Sequence, residues 1–584
     1  MKQFFKMTLA VILGILLSVF VLIVVFSSMM AALMTFDTHS PVPSKAVLDI
    51  DLSRVSISEQ IVPTAPLQNL GSGDEMPVSL GLWDVITSIE KASQDPRISY
   101  ILLRPDAAMT MDPCVAEELR NALEEFRANG KAVLSYIENP SSLSYYIASV
   151  ADKVYMTSHT GSMITLVGVN SSMIYIKDLL DKLGVNVQLI RHGKYKSAGE
   201  PFIKSTPSAE ALEQTRSMVK SMWASIATKI AASRDISVEK LNSLIDNLEL
   251  YSPEQMLSAS LVDGLLSGAQ LCDKIADIAM EDSYSKVNFV SLADYVADCQ
   301  LSVSTKSSAK IAVVYANGQI VDGRSTQEVA GDRFASIIRK VREDESIKAV
   351  VLRVNSPGGS VLASEKIKAE LDSIVGKKPL IASYGAYAAS GGYWISANCD
   401  KVYTDELTLT GSIGVFSMVP DFSKTLKSVA HVNVVTVSSN KHGDMYSLMR
   451  PFDQAELRYM QEPIEQVYDK FVTVVSEGRD ISREYVDAVG QGRVWTGAEA
   501  LGLGLVDEIG GLRDAINYAA NLIEYPTYSD CEIVSYPKPQ TMLESLMSVF
   551  GQSTDMESVM ISKLRDLKEV KMVARIPYEI EFSW

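Results

Sequence analysis

The sequence predicts an α/β fold used twice: two tandem duplicated units with mainly parallel sheets, preceded by one N-terminal transmembrane helix. Three observations carry this. An uncharged apolar run stands near the N-terminus, the chain resembles itself at a separation near 248 residues, and short β-branched runs alternate with stretches of helical periodicity in each half. Strands buried on both faces and separated by amphipathic helices build parallel sheets from βαβ units. At roughly 100–200 residues per domain, 584 residues with 47% apolar and 21% charged side chains leave room for about two to four domains.

The first element is the apolar run. Lys2 and Lys6 precede Met7–Phe36, which carries no charged side chain and whose centre reads LAVILGILLSVFVLIVVF. Spanning a bilayer takes ~20 apolar residues, whereas the apolar part of a cleaved signal runs to about 7–15. The run has no polar face, which argues against a buried core helix. Positive charge ahead of it favours a cytoplasmic N-terminus, so residues 1–36 are expected to be a signal anchor with the rest of the chain outside the cytoplasm. Ala31 and Ala32 supply small residues for the alternative, a cleaved signal.

The repeat comes next. ISYILLR (98–104) matches IKAVVLR (347–353) at an offset of 249 (347−98), and YYIASVADKVY (145–155) matches YWISANCDKVY (393–403) at 248 (393−145). TGSMITLVG (160–168) is echoed by TGSIGVFSM (410–418), VNV at 185–187 recurs at 432–434, and LSASLVDGL (257–265) resembles LGLGLVDEI (501–509). Five matches in the same order at nearly constant spacing indicate duplication. The units are placed at 45–300 and 309–540, joined through SVSTKSS (302–308).

In the second unit KIAVVYA (310–316), IKAVVLRV (347–354), KPLIASY (378–384), DKVYT (400–404) and VNVVTVS (432–438) read as strands. FASIIRKVRED (334–344) and ASEKIKAELDSIV (363–375) read as helices. The tail 541–584 has apolar spots at helical spacing, LESLMSVF and MISKLRDL, and carries no functional reading.

Composition excludes several classes. A formal charge of −17 (54 basic, 71 acidic) argues against nucleic acid, whose binding needs clustered Lys and Arg to displace counterions. Five scattered cysteines (Cys114, Cys272, Cys299, Cys399, Cys531) form no CxxC pair, so neither a zinc site nor a disulfide framework is indicated, and no metal or cofactor is expected.

Residues suited to chemistry concentrate in the second unit. The strand IKAVVLRV runs into Asn355-Ser356-Pro357-Gly358-Gly359-Ser360, a turn whose N–H groups can hold a developing oxyanion, or which is simply a tight βα turn. After KPLIASYG comes Ala388-Ala389-Ser390-Gly391-Gly392-Tyr393, with a serine at a helix start among small residues. Ser390 is a candidate nucleophile with Gly391 N–H as a second oxyanion donor; the plainer reading is an N-cap. The repeat separates the copies: Ser390 maps onto Ser142, but Gly391-Gly392 become Leu143-Ser144, and the Gly-Gly turn maps onto Asp106-Ala107-Ala108-Met109.

A serine needs a base. Of His39, His159, His192, His431 and His442, His39 follows the membrane run too closely, and His192 and His431 stay open. A lysine would need desolvation that lowers its pKa from ~10.4 toward 7–8, about 4 kcal/mol of bias against the charged form. Lys196 stands out in Arg191-His192-Gly193-Lys194-Tyr195-Lys196-Ser197-Ala198-Gly199-Glu200, because the second-unit counterpart SSNKHGDMYSLMRPF (438–452) does not preserve Tyr-Lys-Ser-Ala. The loss is complementary: one unit keeps the lysine, the other the serine and glycines.

At these residues the chain resembles the signal peptide peptidase A (protease IV) family in its long, tandem-domain bacterial form, within the ClpP/crotonase superfamily. YKSAGEPF (195–202), RVNSPGGSV (353–361), ASGGYWIS (389–396), TGSIGVF (410–416) and GLVDEIGG (504–511) carry the resemblance. It implies a ClpP/crotonase-like fold and a serine endopeptidase with a Ser-Lys dyad, Ser390 as nucleophile and Lys196 as base. Ser412 would position the lysine. It also implies peptide substrates such as signal-peptide remnants, a bacterial inner-membrane location with the catalytic part on the periplasmic side, lipid contact through the N-terminal helix, and a homo-oligomer, such as a tetramer, with sites facing inward. Lys194, two residues before Lys196, makes the choice of base a matter of register. Rival readings are a crotonase-like acyl-CoA enzyme, an inactive membrane-tethered scaffold, and a Ser-His-Asp triad.

Overall fold

The computed structural model describes residues 41–60, 77–105, 109, 111–301, 309–538 and 573–575, together with helical positions 8, 13–15, 17, 18, 20, 21 and 24. The expected anchor is otherwise outside the described residues, as are the linker 302–308, residues 106–108 and the tail apart from 573–575. Among the described residues no helix is long and apolar enough to cross a membrane.

The first half supplies β1 (Ala46–Asp51), β2 (Val55–Ser58), β3 (Val78–Gly81), β4 (Ile98–Arg104), β5 (Val133–Ile137), β6 (Lys153–Thr157), β7 (Asn186–His192), β8 (Gly264–Leu266) and β9 (Phe289–Ser291). The second supplies β10 (Lys310–Asn317), β11 (Ile320–Val321), β12 (Val329–Ala330), β13 (Ile347–Ser356), β14 (Gly358–Ser360), β15 (Leu380–Ala389), β16 (Lys401–Thr404), β17 (Leu409–Gly411), β18 (Val415–Asp421), β19 (Val494–Thr496), β20 (Glu508–Ile509), β21 (Glu532–Tyr536) and β22 (Val573–Arg575). Four helices bear on the site: α1 (Ser142–Ala148), α2 (Ala209–Arg234), α3 (Gly391–Ser396) and α4 (Gln454–Arg479).

The first sheet runs β8-β6-β5-β4-β1-β9, with every pairing parallel. Its strands are short and apolar, and the stripe Val85, Ile86, Ile89 of helix Leu82–Gln94 packs into the same core as Leu119, Leu123 and Phe126 of helix Pro113–Ala128. The second sheet runs β19-β17-β15-β13-β10-β21, with β16 beside β15 and β20 beside β16; only β17–β19 is antiparallel. The α/β class and mainly parallel sheets are as the sequence predicts. The strands expected near 310, 347, 378 and 400 are β10, β13, β15 and β16, and the expected helices are Gly331–Glu343 and Val361–Asp372.

One expected strand is absent. Residues 432–438 have no regular structure and are exposed throughout. A strand needs a neighbour for its N–H and C=O groups. The first-half counterpart, β7, finds one in β18; the second-half run has none among the described residues.

That β7–β18 pair belongs to a third sheet, β12-β11-β14-β22-β18-β7, which draws strands from both halves and from the tail. β7 lies antiparallel to β18 from Val415↔His192 to Asp421↔Asn186. β22 lies between β14 (Gly358↔Arg575) and β18 (Phe416↔Val573), antiparallel to both. The halves interlock elsewhere too. Ala386, Ala389, Leu407, Leu409 and Val494 join the first-half core. Arg353 of β13, fully buried, donates to Glu59 at 2.8 Å and Glu118 at 2.6 Å, and Glu118 also accepts from Leu512 N at 2.8 Å. Removing one partner of such a buried pair costs about 3–5 kcal/mol, so this cluster clamps the first half to the strand that leads into Gly358.

Candidate active site

β15 ends at Ala389 and α3 begins at Gly391, so Ser390 alone reverses the chain, at φ 56° and ψ −113°. A non-glycine residue there carries about 1–3 kcal/mol of strain. Ser390 N donates to Gly411 O at 2.8 Å and Trp394 N to Ser390 O at 2.8 Å, which hold it in place. The side chain makes no capping bond to the helix, so the N-cap reading does not apply. Its hydroxyl is free to face elsewhere.

The glycines around it are required by close approach. A Cβ on Gly391 would stand 2.8 Å from Ser364 Oγ and 3.2 Å from both Gly358 Cα and Gly359 N; one on Gly392 would stand 2.7 Å from Ser356 O. The Ser356–Gly359 segment therefore packs directly against the start of α3. Gly358 (φ 96°) and Gly359 (φ 156°) take conformations that side chains disfavour, and a Cβ on Gly359 would meet Ile320 O at 1.9 Å. Of the three glycines expected to donate to an oxyanion, Gly358 N–H donates to Ser356 Oγ at 3.2 Å, and Gly359 is paired in the sheet with Ile320 of β11 and Ala574 of β22.

Lys196 arrives from the first half. Its Nζ donates to Ser390 Oγ at 2.8 Å, Ser412 Oγ at 2.9 Å and Ser412 O at 3.0 Å, and all three residues are fully buried. Burial strips the ammonium of water and holds the lysine pKa well below its ordinary value. Among the described residues no acidic side chain pairs with it to offset that. Three acceptors match the three hydrogens of an ammonium; once neutral, the amine can turn its lone pair to the Ser390 hydroxyl and still donate twice to Ser412.

The lysine sits in a slot made mostly of second-half backbone. Tyr195 N donates to Gln491 O at 2.9 Å, and Arg191 Nη1 donates to Lys196 O at 2.7 Å. A Cβ on Gly492 (φ 80°) would lie 2.5 Å from Lys196 N and Cβ, and one on Gly414 would lie 3.2 Å from Lys196 Cδ. Gly492, Gly414 and Arg191 are positioning residues the sequence reading passed over. Gly490-Gln491-Gly492 just before a strand was the available signal.

The remaining expectations fall into place by geometry. Lys194 is exposed, with its Nζ over the Tyr195 ring at 5.1 Å, so the register favours Lys196. His192 bonds Glu465 and stacks on Tyr468, and His431 is exposed; neither is a hydrogen-bond partner of Ser390. His39 and the first-half counterpart of the glycine turn, 106–108, are outside the described residues. Ser142, the counterpart of Ser390, donates to Gly168 O at 2.8 Å and accepts from Gly168 N at 3.0 Å.

Comparison with known proteins agrees with the repeat. The model of peptidase family S49 matches twice, at residues 125–280 and 374–525; Lys196 falls in the first copy and Ser390 and Ser412 in the second. The chain is 36% identical to Protease 4 of Haemophilus influenzae over 77% of this chain and 74% of that protein. It is 35% identical to Protease 4 of Salmonella typhi over 82% and 78%. A chloroplastic serine protease SPPA of Arabidopsis thaliana is 26% identical over 81% of this chain and 70% of its own length. Matched in both copies and aligned with such relatives over most of its length, the chain belongs to peptidase family S49.

Proposed function

We propose that the chain is a serine endopeptidase that degrades signal-peptide remnants and other apolar peptides, with Ser390 as nucleophile, Lys196 as general base and Ser412 as the residue that orients the lysine. The observation that carries this is the 2.8 Å hydrogen bond between Lys196 Nζ and Ser390 Oγ inside a fully buried site. Burial that disfavours the ammonium is what a lysine base requires near neutral pH.

In the proposed reaction, neutral Lys196 takes the Ser390 hydroxyl proton as Oγ attacks the peptide carbonyl. Ser412 Oγ and O accept from the resulting ammonium. Gly358, Gly359 and Gly391 N–H groups receive the oxyanion. The ammonium then gives its proton to the leaving amine as the C–N bond breaks, leaving an acyl-Ser390 ester. Water, deprotonated by Lys196, attacks the ester and releases the acid product and the serine hydroxyl. The substrate lies as an extended strand against β14, the place β22 holds, with backbone bonds on both sides.

The finer reading follows the resemblance. Two ClpP/crotonase-like units, 45–300 and 309–540, stand behind a single-pass anchor at 1–36, with the catalytic part on the extracytoplasmic face of a bacterial inner membrane and the chains assembled as a homo-oligomer. The test is peptide hydrolysis by Ser390→Ala and Lys196→Ala chains together with labelling by a serine-directed phosphonate. Loss of both turnover and labelling is expected in S390A; near-parental turnover in either variant would overturn the dyad.

A further inference from the structure

Arg493 stands one residue ahead of β19, the strand that pairs antiparallel with β17. Its carbonyl accepts from Ser412 N–H at 2.7 Å. Ser412 has a positive φ, 51°, which a non-glycine residue holds only under strain, so this bond pins a backbone that would otherwise relax.

The side chain of Arg493 reaches the first half. Its Nη1 donates to Glu213 of α2 at 2.9 Å and to Tyr195 Oη at 3.3 Å. Its guanidinium lies 4.9 Å from the centre of the Tyr195 ring and 4.2 Å from that of Trp495, within the range of cation–π attraction. Tyr195 is buried and immediately precedes Lys196. One residue thus ties the loop that carries the lysine to the turn that carries Ser412. Neighbouring bonds hold it on that path: Val494 N donates to Gln214 Oε1 of α2 at 2.8 Å, and Trp495 Nε1 donates to Val489 O at 2.9 Å.

The repeat shows that the scaffold does not need an arginine here. LSASLVDGL and LGLGLVDEI are offset by 244 (501−257), which maps Arg493 onto Glu249 and Trp495 onto Tyr251. The local fold is kept, since Ser252 and Thr496 are the N-caps of matching six-residue helices, Pro253–Ser258 and Gly497–Gly502. Yet Glu249 is exposed, and so is Tyr251, at 71%. The arginine and its aromatic platform stand in the copy with Ser412 and not in the other.

We propose that Arg493 is a positioning residue for the base: by stacking on Tyr195 and Trp495 it sets the register of Lys196 against Ser412, and so the aim of Lys196 at Ser390. The inference rests on the dyad reading above and adds to it the side chain that brings its two halves into line. The flat guanidinium is what the role requires. A lysine would keep the charge and the pairing with Glu213 but has no plane to stack. The charge pair itself is open to solvent, with Glu213 56% exposed, and such pairs contribute little.

The experiment uses the full chain in mild detergent and compares Arg493→Lys with Glu213→Ala. R493K is expected to lose about 10–100-fold in kcat with KM within about threefold of the parent, and to react more slowly with the serine-directed phosphonate. The acid limb of kcat/KM is expected to move to lower pH, because Ser412 drifts from Nζ and the ammonium loses acceptors while the charge at position 493 is unchanged. Lost folding alone would lower the fraction labelled and leave that limb in place. E213A is expected to keep kcat within about threefold of the parent. Near-parental kcat in R493K would overturn the proposal, as would an unmoved acid limb or a loss in E213A equal to that in R493K. Should R493K not fold, Trp495→Leu takes its place: it removes one ring of the platform and leaves the Glu213 pair. The same split between kcat and KM is then expected, and parental kcat overturns the proposal. S390A, run beside these, separates the two readings. Turnover that survives in S390A strikes the dyad and this role with it; turnover lost in S390A but kept in R493K strikes the positioning role alone.

Discussion

Ser142 and Ser390 occupy the same place in the two halves, beside a buried strand at the foot of a short helix, yet their surroundings differ in every chemical respect. Ser142 is already inside its helix; Ser141 caps it, in a capping box with Ser144, and the Ser142 hydroxyl is tied to both backbone groups of Gly168. Ser390 stands outside its helix on strained backbone, makes no capping bond, and faces Lys196. Where Gly391 leaves room for the Ser356–Gly359 segment, the first half has the buried side chain of Leu143. The comparison teaches that a duplicated scaffold keeps its fold when the serine relaxes and loses its reactive geometry when the glycines go.

That contrast can be broken from its strongest point. Ser390→Ala is expected to lower kcat by roughly 10⁴–10⁶-fold. Ser142→Ala should leave turnover per folded molecule near the parental value while costing stability, about 1–3 kcal/mol for stranded buried partners, read by denaturant unfolding. Equal losses of turnover in the two would remove the distinction.

Giving the second half the first-half residue is the next test. Gly391→Leu drives a side chain into Ser364 and the Gly358–Gly359 backbone, and is expected to cost about 10²–10³-fold in kcat through the displaced oxyanion donor. A chain that folds and turns over normally would show that the close approach is not needed.

Ser412→Ala should have a smaller effect, about 10–100-fold in kcat. Its hydroxyl accepts from the ammonium and so favours the charged lysine; without it the lysine pKa falls further, and the acid limb of kcat/KM moves to lower pH. A limb that moved upward would contradict the assigned role.

The smallest effect is on stability. The folded pKa of Lys196 lies below its unfolded value, so between the two the unfolded chain binds more protons and stability rises with pH. Lys196→Met is therefore expected to be more stable than the parent at low pH, with the difference shrinking as pH climbs toward ~10.4, measured by Tm across a pH series.

Much of this was legible in the residues. The strand ISYILLR is β4 residue for residue, and the complementary losses in the repeat pointed to Lys196 and Ser390 before any distance was available. What local pattern could not show were arrangements made at long range. VNVVTVS has the composition of a strand but no strand partner among the described residues; β22 comes from the far end of the chain yet pairs with β14 and β18; Glu59 and Arg353 meet across the two halves. Gly492 was hidden for the same reason, since its need for a bare Cα arises only when Lys196 arrives from the other half.

The position of β22 has a kinetic consequence. It is a strand of the same chain, covalently tethered to the groove it occupies beside Gly358 and Gly359. A rival on the same chain competes at an effective concentration that does not fall as the enzyme is diluted and that, for a linker matched to the span, reaches the millimolar range. Dissolved peptides at micromolar levels are therefore poor competitors, whereas peptides concentrated locally, as apolar fragments are when they partition into a lipid surface, are not. A chain ending at residue 538 is expected to show a lower KM for soluble peptides with kcat little changed.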